Sequence, residues 1–200
     1  MSRFVFVVSA LGALFLFSSC AGRPGNTCYV TQFSSPTADS DLGIGDSSVQ
    51  GGGRQALAQS FLLSAKTTIK AVELDLYKVG TIADQGIHTI RVRLETNATG
   101  TDKPSDVLAA ANAEAALPVS QLSTIPNFYT FTFPAPVTLE PGTYWLRVNA
   151  SYNMSTTDLV KWVGHNGAGG FEGGRASFLN NTGWFTTDIV LLDLLFRINC

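Results

Sequence analysis

Apolar and polar positions alternate over two consecutive runs in residues 127–150, NFYTFTFPAPVTLEPGTYWLRVNA. In the first, Tyr129, Phe131 and Phe133 share one parity and Thr130 and Thr132 the other. In the second, Tyr144, Leu146, Val148 and Ala150 alternate with Trp145, Arg147 and Asn149. A period of two in aromatic and β-branched residues predicts strands with one buried face. Pro134, Pro136 and a Pro141-Gly142 turn punctuate the two strands, with Gly142 read as the positive-φ corner of a type II turn.

The same reading extends along the chain. Strands are predicted over Cys28–Phe33, Ala56–Ser64, Thr68–Val79, Ile87–Thr96, Leu159–Gly164 and Arg175–Leu179. Asn180-Asn181-Thr182-Gly183 makes a hairpin turn into Trp184. Val190, Leu192, Leu194, Phe196 and Ile198 then line one face of a last, most apolar strand, expected to be central. Glu73 and Asp75 point outward from one strand and Arg91 and Arg93 from the next, so they would pair if those strands are adjacent. Residues 107–116 stay open between a strand reaching about Ala113 and a short helix, because alanine favours helix. Ser34–Gly53, rich in Ser, Gly and Asp, reads as a long loop. Nine or ten strands at these spacings predict an all-β fold, a jelly-roll-like antiparallel sandwich.

Composition changes the picture mainly at the N-terminus. Met1-Ser2-Arg3 carries one positive charge and Phe4–Phe17 is an apolar run, too short to span a bilayer and suited to a signal peptide. Two cleavages fit. Ser18-Ser19-Cys20 resembles a bacterial lipobox, with Phe17 where leucine is usual, which would make Cys20 the lipidated first residue. The rival is ordinary cleavage after Ala21. The expected organisation is a signal peptide at 1–19, a tether with the first strand and long loop at 20–53, and the sandwich at 54–200. Of three cysteines, Cys28 and Cys200 remain once Cys20 is modified or removed, and they are expected to form a disulfide joining the first strand to the last. The protein is accordingly expected to be exported, as a surface or periplasm-facing lipoprotein or in secreted form. A net charge of −2 with no basic run argues against nucleic acid and leaves a lipid anchor as the expected membrane contact.

The segments AQSFLLSAKTTIKAVELDLYKVG (58–80), TGTDKPSDVLAA (99–110), FTFPAPVTLEPGTYWLRV (131–148) and GGRASFLNNTGW…LLFRI (173–198) resemble the choice-of-anchor type jelly-roll domains of bacterial secreted and surface proteins. DKPSD stands where that family tends to carry a glycine-rich DxGGKPG. The resemblance implies a β-sandwich held at the cell surface, with adhesion or carbohydrate binding as its role, and it brings no catalytic motif.

Candidate chemistry is sparse. There is no HExxH, GxSxG or P-loop, and no enzyme activity is expected. His88 reads as a strand-end or core histidine. Flat rings near loops suit sugar faces, with polar neighbours orienting hydroxyls. The expected ligand contacts are Trp162, His165, Asn166, Phe171, Glu172, Arg175 and Trp184, with Trp145, Tyr152 and Asn180 as further candidates. Asp39, Asp41 and Asp46 form a weak Ca²⁺ candidate, since their spacing misses the EF-hand loop; no other cofactor is expected. The alternative to a carbohydrate-binding module is a structural or adhesive surface protein that meets protein partners.

Overall fold

The computed structural model describes residues 27–30, 40–47, 53–82, 86–152, 157–166, 174–180, 183–186 and 192–200. Among them are fourteen strands. The first seven are β1 (Thr27–Val30), β2 (Ser40–Ser47), β3 (Gly53–Leu63), β4 (Thr67–Val79), β5 (Thr89–Asn97), β6 (Pro104–Leu108) and β7 (Glu114–Pro118). A single 3-10 turn, Val119–Gln121, leads to β8 (Asn127–Leu139), β9 (Gly142–Ala150), β10 (Leu159–Asn166) and β11 (Ala176–Asn180). The last three are β12 (Gly183–Thr186), β13 (Leu192–Leu194) and β14 (Phe196–Asn199). The signal-peptide segment, Cys20, Asp39, Phe171 and Glu172 lie outside the described residues.

Every ladder is antiparallel, and the ladders fall into two groups. In the first, β4 is flanked along its length by β8, and on its other edge by β14 at Ala71–Leu74 and β10 at Leu76–Val79. Where β10 leaves β4, β13 takes over the pairing with Gly164–Asn166. Leu195 bridges the seam, donating its N–H to Val163 O at 2.9 Å and accepting from Asp75 N at 3.3 Å. In the second group, β9 lies between β3 and β5. β11 and then β12 extend it beyond β3, and β6 and β7 share the far edge of β5. β2 belongs to both groups: Ser40–Ile44 pairs with β10 and Gly45–Ser47 with β3.

The period-two faces meet in one apolar core. Val72, Leu74 and Leu76 of β4, Ile90, Val92 and Leu94 of β5, and Leu146 and Val148 of β9 are all fully buried, as are Leu57, Phe61, Phe196 and Ile198. The Phe61 and Phe196 rings, one from each group of ladders, lie 6.0 Å apart at 51°. Burying each such side chain contributes roughly 2–3 kcal/mol.

Several expectations need correction. The loop expected over 34–53 contains β2, because Leu42 and Ile44 alternate with small residues and pack inward. Residues 107–116 are neither one strand nor a helix; β6 and β7 are separated by a turn. The two prolines do not end β8. Its ladder with β4 steps from Ile69↔Val137 to Ala71↔Thr132, so Phe133–Pro136 bulge opposite Lys70, where the missing proline N–H groups cost the ladder nothing. Gly142 has φ 159°, close to extended and far from a type II corner. β4 and β5 are not neighbours: Glu73 pairs with Arg197, while Arg91 and Arg93 pair with Glu114. The apolar C-terminal strand breaks at Leu195 into β13 and β14.

Cys200 is disulfide-bonded. The side chain of Cys28, its expected partner, lies outside the described ones. The segments that carry the two cysteines run side by side in the β1–β14 ladder, Thr27↔Asn199 to Val30↔Arg197.

Candidate functional site

The outer face of the second group of ladders has a run of small side chains at its centre. β3 turns Leu57, Gln59 and Phe61 inward, so Ala56, Ala58 and Ser60 face the other way. Ala58 is paired with Arg147 of β9 on one side, while Ala56 is paired with Leu179 of β11 on the other, and Leu179 in turn with Trp184 of β12. Beyond β9, Arg91 and Arg93 of β5 pair with Asn149 and Arg147. Directly opposed residues share a face. Two alanines therefore form the floor of a trough, with arginines and Asn149 along one wall and Leu179 and Trp184 along the other. It contains a cleft of about 290 Å³ whose lining includes Ala56, Arg91, Arg147, Asn149, Ser151 and Leu179.

A buried ionic network sets the position of Arg147. Its Nη1 donates to Glu95 Oε1 at 3.1 Å and to Asp106 Oδ1. Glu95 is fully buried, also meets Arg93 Nη1 at 3.0 Å, and accepts from the Asp106 N–H at 3.1 Å. Asp106 adopts φ 62°, a left-handed conformation that aspartate tolerates better than most side chains, and the two contacts on it hold it there. Burial pushes the Glu95 carboxyl above its ordinary value, an effect that Arg147 and Arg93 oppose. The Arg147 guanidinium lies 5.2 Å from the Trp184 ring centroid, within cation–π range. Arg147 Nε and Trp184 Nε1 are both buried and have no hydrogen-bond partner among the described residues. Two orphaned donors of this kind leave a site ready for an acceptor.

The structure treats the sequence candidates unequally. Trp184 sits beside the cleft, half-buried. Trp162 is fully buried, its indole N–H donating to Leu195 O at 2.8 Å, which removes its face from any ligand. Trp145 is likewise buried and bonds Asn97 Oδ1 at 2.8 Å. Tyr152 is a buried bridge between strands: its hydroxyl donates to Ile44 O and accepts from Val160 N. His165 is buried in β10, opposite Asp193 of β13. Arg175 is exposed and pairs with Asp102 at 3.3 Å. Asn166 and Asn180 lie in β10 and β11, with side chains outside the described ones. His88 is half-buried just before β5, its ring 6.1 Å from that of Tyr152.

Sequence reasoning placed Arg147 and Asn149 on the outer face but gave them no role. The Ala-x-Ala spacing at Ala56 and Ala58 was the available hint of a trough.

The acidic loop candidate resolves into an ion pair. Asp41 Oδ1 accepts from Lys161 Nζ at 2.8 Å and its Oδ2 from the Tyr77 hydroxyl at 2.5 Å, linking β2, β10 and β4. Burial raises the Asp41 pKa, but the bonds from Lys161 and Tyr77 outweigh it and the net shift is downward. Asp46 lies in β2 with its side chain outside the described ones. Among the described residues no group of three or more His, Cys, Asp or Glu side chains is placed to hold a metal ion.

No protein-family model, curated protein or solved structure matches the chain. The architecture that stands is therefore a largely antiparallel all-β one, and its resemblance to the choice-of-anchor type domains rests on the sequence motifs alone.

Proposed function

We propose that this is an exported β-sandwich of jelly-roll type, lipid-anchored through Cys20, that binds carbohydrate in the trough between Arg91, Arg147 and Trp184. The jelly-roll reading is supported by two groups of antiparallel ladders with a strand, β2, running from one into the other. Export and anchoring are supported by the apolar N-terminal run and the small residues before Cys20. The observation that carries the binding reading is the half-buried indole of Trp184 beside a cleft lined with hydrogen-bond donors. An aromatic face with fixed donors suits a sugar ring, which presents C–H groups on one side and hydroxyls at its rim.

A glycan array and tryptophan emission test this directly. Trp145 and Trp162 are buried with their N–H groups bonded, so a ligand-induced change in emission reports Trp184. The expected result is binding of at least one glycan class with an emission shift, weakened tenfold or more in Trp184→Ala. An array without binders overturns the reading and leaves an adhesive protein with protein partners in its place. The mass of the mature N-terminus tests the anchor, an acylated Cys20 being expected.

A further inference from the structure

Among the described residues the cleft is lined by two guanidinium groups, Arg91 and Arg147, and by no carboxylate. The acids of this face are each engaged with its arginines: Glu95 and Asp106 with Arg147, and Glu114 with Arg91 and Arg93. Glu95 is fully buried beneath Arg147, and Asp106 holds the same Nη1. Glu114 reaches Arg91 only at 3.8 Å, with both side chains about half exposed, a contact that water screens heavily. Arg91 thus offers a weakly engaged cation at one end of the cleft. Arg147, nine-tenths buried, adds an Nε–H that has no acceptor among the described residues. Asn149 and Ser151 supply neutral donors between backbone segments.

From this lining we infer that the ligand is an acidic glycan, one whose sugar carries a carboxylate or sulfate that Arg91 and Arg147 receive. The inference rests on the carbohydrate reading above and narrows it. A planar guanidinium matches the paired oxygens of either anion, and such charge-assisted bonds are about twice as strong as neutral ones. The Glu95–Asp106 network has the further effect of fixing Arg147 before the ligand arrives, so little side-chain entropy is lost on binding.

Calorimetric titration of the full chain with two matched pairs of probes tests the inference and separates the anions. Tetragalacturonate against its methyl ester reads the carboxylate, and a κ-carrageenan tetrasaccharide against its desulfated form reads the sulfate. At least one acidic member is expected to bind tenfold or more tighter than its neutral partner. That advantage should shrink at high salt and disappear in Arg91→Gln. Arg91 is exposed, so this variant keeps the fold, which its unchanged melting temperature would verify. Neutral members that bind as well as acidic ones, or an array whose binders are all neutral, overturn the acidic ligand while sugar binding stands. An array without binders removes both.

Discussion

Asp75 stands on the outer face of β4 with Oδ1 buried and without a hydrogen-bond partner among the described residues. Burial raises its pKa, and the charge of Arg197 opposes this only in part. That guanidinium is engaged elsewhere, 3.6 Å over the Phe128 ring and 3.3 Å from Glu73. A carboxyl whose folded pKa lies above its unfolded one favours the fold below the unfolded value, and that contribution is lost as pH rises through the folded value. At neutral pH the ionised Asp75 therefore weakens the protein. Asp75→Asn should raise the melting temperature at pH 7 by a few degrees, or up to about 1 kcal/mol, with the gap closing near pH 3. Asp41 has the opposite sign: its lowered pKa stabilises the fold above the unfolded value and ceases to as pH falls through the folded one. Tyr152 is the third residue with a large effect. Its hydroxyl lies between Val160 N and Ile44 O, so Tyr152→Phe leaves two buried backbone groups short of a partner and should cost about 1–3 kcal/mol by denaturant titration.

Among the elements, β8 shows what alternation can and cannot tell. Phe131, Phe133, Val137 and Leu139 are buried as their pattern requires. Yet the pattern could not show that the Pro134–Pro136 segment continues the strand as a bulge, because that depends on Lys70 standing opposite. The freed carbonyls of Ala135 and Pro136 accept from Asn112 Nδ2 at 2.8 and 3.1 Å, a partner 23 and 24 residues away. Asn112→Ala should destabilise the protein by about 1 kcal/mol and raise amide exchange around the bulge, without altering binding in the trough. Register hid the rest. The outward parity of Arg147 and Asn149 was legible, but the opposition of Ala58 to Arg147, and of Leu179 to both Ala56 and Trp184, is a property of paired strands distant in sequence. Trp162 was misplaced for a related reason: β10 lies inside the sheet between β2 and β4. A tryptophan there fills the core, whatever loops flank it.

On the scale of the whole molecule, the two faces carry different polar inventories. One outer face is latched by Tyr77, Asp41 and Lys161, which join three strands of the first group. The other is built around buried Glu95, whose contacts orient Arg147 toward the trough. Removing one member of such a buried pair costs roughly 3–5 kcal/mol, so Arg147 is a poor residue for testing binding and Arg91 a good one.

The seam between β4 and β10 bears on assembly. Residues 192–199 fill it, so a nascent chain that has emerged only as far as β12 has the edges of two long strands still open. Such a chain can already form the β4–β8 and β4–β10 ladders, while Ala71–Leu74 of β4 and Gly164–Asn166 of β10 stay open on one edge. Vectorial synthesis thus makes residues 192–199, which emerge after the strands they cover, a closing wedge, and a version truncated before Leu192 is expected to exchange the amides of those open stretches rapidly and to self-associate through them.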